Sequence, residues 1–118
     1  MGTRGPDGPD AGIGPRGAVA LLAGAAVLVD VREVHEWEAG HVAGSVHLPL
    51  AAVPDRLGEL PRDRTLVVVC RSGRRSALAT DLLTRAAFDA VNLEGGLLAW
   101  VEDGLPLEGG PGGGGQVA

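Results

Sequence analysis

Two uninterrupted apolar runs, rich in β-branched residues, limit the fold of this chain more than any other feature: AAVLVDV at Ala25 to Val31 and TLVVVC at Thr65 to Cys70. A strand with one face in water alternates apolar and polar side chains, and these runs have no such alternation. They read as central strands of a parallel sheet covered on both faces. Shorter strands are expected at SVHLP and AVNLE. Between the strands, VREVHEWEAG, LAAVPDRLGEL and RRSALATDLLTRAAF carry apolar residues at helical spacing, and the last puts Ala77, Leu78, Leu82, Leu83 and Ala86 on one broad stripe. Pro54 interrupts the second of these or opens its main helix. Strands alternating with helices predict an α/β fold of three layers, a mainly parallel central sheet with helices on both faces.

A chain of 118 residues has room for one such core without disulfides or a structural metal. Residues 1–15 form a Gly/Pro-rich run that cannot recover its ordering entropy by burial and read as a flexible tail. The folded unit is expected over 16–107, and 108–118 have the composition of a flexible Gly-rich tail. Aromatic residues make up 3% of the chain, leaving Trp37, Phe88 and Trp100 as its few large anchors. The lone cysteine, Cys70, excludes an intramolecular disulfide and suits a reducing compartment, which with the lack of a signal-like start points to the cytoplasm. The formal charge is -5 and every basic residue is arginine, so no lysine-rich face offers itself to nucleic acid. No apolar stretch is long enough to span a membrane as one helix, and no heptad pattern demands a partner, so a monomer is expected. The Arg, Ala and Gly bias without lysine is consistent with a GC-rich bacterial genome.

The informative stretch is TLVVVCRSGRRSALATDLL. A buried strand ends at Cys70, and a helix is expected to begin about six residues later. In an open parallel sheet this junction lies at the carboxyl end of the strand, where ligands bind. Gly73 lets the short loop curl so that several N–H groups converge into an anion cradle. Converging amides, the following helix dipole and the guanidinium groups of Arg71, Arg74 and Arg75 would all stabilise a thiolate. Ser72 and Ser76 are placed to donate hydroxyl hydrogen bonds, with Ser76 also a candidate helix cap. A thiolate needs no general base. An isolated cysteine is more often a small core hydrophobe, but a strand end followed by Gly and three arginines favours chemistry at Cys70 with a small anionic ligand.

Other residues read as structure. His35, His41 and His47 lack metal-ligand spacing, so no metal and no cofactor are expected. Asp30 and Arg32 flank the end of the first strand as an internal ion pair or loop-fixing hydrogen bond. The acidic residues of EVHEWE read as the solvated face of a short helix, and Trp37 and Trp100 as core anchors.

Three segments in order resemble the rhodanese homology domain: LVDVREVHEWEAGHVAGSVHLPL, with its Asp-x-Arg strand end and Gly-His turn; VVVCRSGRRSALA; and NLEGGLLAWVEDGLPL. The resemblance runs from about Ala25 to Leu107. It implies a sulfurtransferase in which Cys70 carries a persulfide and the residues from Arg71 through Ser72, Gly73, Arg74 and Arg75 to Ser76 form the active loop, supported by Asp30 and Arg32. A donor such as thiosulfate would load the thiolate and leave as sulfite. Cyanide, a thiol or a thioredoxin-like protein would then collect the sulfur in a double displacement. Rhodanese-fold phosphatases and arsenate reductases use a longer C-x5-R cradle, which this loop misses because Arg75 arrives one residue early. A non-catalytic module that binds partners or senses oxidation is a third reading, and retention of Cys70 argues against it. At the amino end, GIGPRGAVALLAGA stands where the family usually has an opening strand, so a shortened or missing edge strand is expected.

Overall fold

Burying two long apolar runs requires cover on both sides of a sheet, and the computed structural model, which describes residues 12–109 and 114–118, is built that way. The chain runs α1 (Pro15–Leu22), β1 (Val27–Asp30), α2 (Val34–Ala39), β2 (Val46–His47), two 3-10 helices (Leu50–Asp55 and Leu57–Glu59), β3 (Leu66–Val69), α3 (Arg74–Arg85), β4 (Ala90–Asn92) and α4 (Gly96–Glu102). The strands lie in the order β2-β1-β3-β4, all parallel, with Val29 opposite Val68 and Asp30 opposite Val69 at the centre.

Alternate residues of the central strands feed two cores. Val29, Val31, Leu66, Val68 and Cys70 point into one, with Leu48, Val53, Leu83 and Phe88. Leu28, Val67 and Val69 point into the other, with Ala18, Leu97 and Trp100. The four residues of β3 are fully buried, and each such side chain contributes about 1.5–3 kcal/mol of transfer free energy, so a Val68→Asp change would break the domain. Parallel pairing lines up the carboxyl ends of β1 and β3 at one edge of the sheet. The functional loop sits there.

Several local expectations are revised. LAAVPDRLGEL forms two 3-10 turns with Pro54 inside the first, because a proline at that point cannot continue an α-helical hydrogen-bond ladder. The α3 stripe has a different phase: Ser76, Ala79, Thr80 and Leu83 are buried, whereas Leu78 (63% exposed) and Leu82 (41%) face outward. The helix also begins four residues after Cys70, at Arg74, since Gly73 in the left-handed region (φ 108) turns the chain sharply into it. The opening strand shrinks to a single parallel bridge between Ile13 and Leu93, after which α1 begins directly. Glu108, placed by composition in a Gly-rich tail, bridges His41 through backbone hydrogen bonds of 2.9 and 2.7 Å, and the Gln116 N–H donates to the Ala39 carbonyl. Residues 1–11 and 110–113 of the two expected tails lie outside the described residues. Among the described residues, no helix is long and apolar enough to cross a membrane.

Candidate active site

The site begins where β3 ends. Cys70 follows Val69 with its side chain turned into the core between β3 and α3, 1% exposed. The chain then turns within three residues, and the turn folds its donors back onto the sulfur. The Gly73 N–H lies 3.1 Å from Sγ, the Ser76 N–H 3.3 Å, and the Ser76 hydroxyl 3.3 Å. Burial alone pushes the Cys70 thiol up. The Ser76 hydroxyl and the backbone N–H groups of Ser76, Gly73 and Ser72 outweigh it, so the thiol sits below its ordinary value. Ser76 therefore serves the sulfur, and the capping position of α3 belongs to Gly73.

The floor of the loop comes from α4. The N–H of Leu97 donates to the Cys70 carbonyl at 2.9 Å and that of Leu98 to the Arg71 carbonyl at 3.1 Å. This approach needs Gly96: its φ is 60, and any Cβ would overlap the Arg71 carbonyl. The Gly-Gly step is thus read by the loop, 26 residues away along the chain from Cys70 to Gly96.

The arginines separate into different roles. Arg75 forms a two-pronged ion pair with Glu36 of α2, Nη1 to Oε1 at 2.6 Å and Nη2 to Oε2 at 2.9 Å. Arg75 lowers the Glu36 carboxyl to about 2. The expectation that EVHEWE presents only a solvated acidic face is wrong at Glu36, which is buried and also accepts the Glu33 N–H in a capping box. Arg71 is exposed and its Nε donates to the Ala118 carbonyl at 2.9 Å, beside an exposed Ser72. Arg74 lies on the outer surface of α3 with Leu78, Asp81 and Arg85 around it.

Asp30 and Arg32 form a fork-to-fork pair at 2.9–3.1 Å, each at most 1% exposed. The spare N–H groups of Arg32 donate to the carbonyls of Glu36 (3.1 Å) and Gly40 (2.6 Å), clamping the end of α2. Arg32 therefore holds the helix whose Glu36 holds Arg75. Trp37 is not a core anchor; it is half-buried and stacks with His41 (3.8 Å) and with His47 (4.8 Å), while Trp100 and Phe88 are buried. Two site residues escape sequence reasoning, Glu36 and Asn92. The Asn92 amide donates to the Gly73 carbonyl at 3.2 Å, and its only sequence signal is a polar residue inside an apolar strand.

This chain is similar to known proteins on three levels. The profile of the family described as Rhodanese-like domain matches residues 17–103. A sulfurtransferase of Allochromatium vinosum is 40% identical over 82 residues, covering 69% of this chain and 77% of the relative. The thiosulfate sulfurtransferase GlpE of Stutzerimonas stutzeri is 36% identical over 89 residues, covering 75% and 82%. Other curated relatives are longer, and the chain spans 39% and 21% of two of them. Among solved structures, the rhodanese-related protein of Thermoplasma volcanium superposes with a TM-score of 0.77 at 31% identity, covering 81% of this chain and 95% of that one.

Proposed function

The chain belongs to the rhodanese-like domain family, within its sulfurtransferases, and from that premise we propose that it moves a sulfane sulfur from a small anionic donor such as thiosulfate to a thiophilic acceptor through a persulfide on Cys70. The observation that carries this reading is the convergence of the Gly73 N–H, the Ser76 N–H and the Ser76 hydroxyl on one sulfur within 3.3 Å. The relative named for thiosulfate supports that donor.

In the first half-reaction the Cys70 thiolate attacks the outer sulfur of thiosulfate. A new S–S bond forms, the old one breaks, and its electron pair leaves with sulfite. The product is a Cys70 persulfide anion, and no proton has to move. The loop N–H groups that hold the thiolate hold the displaced charge as it passes to the terminal sulfur. Arg71 and Arg74, both exposed, draw the dianion toward the loop. Arg75, neutralised by Glu36, fixes the start of α3 in place of meeting the donor. In the second half-reaction cyanide, a thiolate or a thioredoxin-like protein attacks the terminal sulfur and releases the Cys70 thiolate. The reaction needs Cys70 reduced, which suits a cytoplasmic protein, and the chain is read as acting as a monomer.

The test is thiosulfate-dependent sulfur transfer to cyanide, with intact mass of the loaded protein, beside Cys70→Ser. Turnover and one added sulfur atom in the parent protein, both lost in the variant, are expected. Turnover that survives Cys70→Ser, or a parent that never takes up sulfur, would overturn the proposal.

A further inference from the structure

We infer that Asn92 is a positioning residue for Cys70: from the end of β4 its amide grips the Gly73 carbonyl and so fixes the turn that aims the Gly73 N–H at the sulfur. The inference rests on the sulfur-transfer reading of this loop. Asn92 is 6% exposed and pinned by the sheet, opposite Val68 of β3. Its two amide atoms have unequal fates. Nδ2 donates to the Gly73 carbonyl at 3.2 Å, whereas Oδ1 is buried and has no hydrogen-bond partner among the described residues.

An unpaired buried carbonyl lowers stability, so an apolar side chain of the same shape would serve the fold at least as well. What Asn92 supplies is its donor. Turning the amide over would set Oδ1 against the Gly73 carbonyl, acceptor against acceptor, so the observed orientation is the one the loop selects. Gly73 needs this restraint more than its neighbours do. At φ 108 it has the widest rotational freedom in the loop, and both of its polar groups matter: the N–H meets Sγ at 3.1 Å, and the carbonyl also receives the Ala77 N–H at 3.2 Å in the first turn of α3. The Asn92 amide ties that carbonyl to the rigid edge of the sheet.

The chain has one cysteine and no tyrosine, so the ultraviolet absorbance of the Cys70 thiolate can be titrated with no second thiol and no phenol ionising beside it. The test compares that titration in the parent and in Asn92→Leu, which keeps the size and removes the donor, with thermal unfolding and hydrogen exchange at the Gly73 amide beside it. Arg75, which interacts electrostatically with Cys70, and its partners Glu36 and Glu33 are the same in both proteins. The expected result is a thiol midpoint raised by about half a pH unit, roughly a threefold change in thiolate fraction below the midpoint. Faster exchange at Gly73 and an unfolding midpoint unchanged or higher are expected with it. Asn92→Ala carries the same expectation for the thiol and replaces the leucine variant if that does not fold. An unchanged thiol midpoint in a folded variant would overturn the inference, as would a loss of stability with no change at the thiol. Failure of the sulfur-transfer reading shows separately, as absent turnover in the parent protein.

Discussion

The carboxyl ends of β1 and β3 lie side by side in the sheet, and they are finished in opposite ways. At the end of β1, Asp30 and Arg32 bury two full charges that satisfy each other, and the leftover donors of Arg32 are taken by the carbonyls of Glu36 and Gly40. At the end of β3 the loop does the same job in reverse: donors from Gly73 and Ser76 converge on a single soft acceptor, the Cys70 sulfur, with no cation among the described residues paired to it directly. A closed set of charges is inert and rigid. An open set of donors around one sulfur can take on negative charge and pass it along. The same edge of one sheet thus provides both an anchor and a reactive centre.

The sharpest way to break the contrast is Arg32→Ala. It leaves the Asp30 carboxylate buried without its partner, and a loss of about 3–5 kcal/mol is expected in urea unfolding; a loss under about 1 kcal/mol would mean the β1 end is no anchor. Next is Glu36→Gln, which unpairs Arg75. A carboxyl held at about 2 against an ordinary 4.5 implies a contribution on the order of 2–3 kcal/mol, the lower end being favoured because the Arg75 side chain is 33% exposed. The folded-state value is depressed, so this contribution is complete above about pH 5 and drains away as pH falls from 4.5 toward 2. The glutamine variant should lack that acid limb, and an unaltered limb would assign it to another carboxylate. Ser76→Ala removes the one hydroxyl among the donors at the sulfur. Stability should change by about 1 kcal/mol while the thiolate titration moves up, and an unmoved titration would show that the backbone N–H groups suffice. Smallest is the structural effect of Cys70→Ser, expected within about 1 kcal/mol, because a hydroxyl fits the same donors. A larger loss would make the β3 end an anchor too.

How much of this could be read from the chain follows the same division. The β3 end is contiguous in sequence: strand, Cys70, Gly73 and helix follow one another, so local rules place the loop and both long strands. What the sequence hides is what the sheet brings together from far away. Glu36 and Arg75 are 39 residues apart, and nothing in EVHEWE says which of its carboxylates turns inward. Asn92 looks like an ordinary strand residue until the β3–β4 register sets it beside Gly73. The phase of α3 failed for a related reason, since Ser76 is drawn inward by a sulfur and not by hydropathy, rotating Leu78 and Leu82 to the surface.

The stacking of Trp37 with two imidazoles gives the molecule an optical readout. Of the two indoles, Trp100 is buried with its N–H held by the Pro106 carbonyl, a setting that varies little. Trp37 instead lies against two imidazole rings, and one of them, His41, also reaches the Glu108 carboxylate at 3.6 Å. Its emission therefore depends on how the His41 ring is held between Trp37 and Glu108, while the light from Trp100 serves as an internal reference.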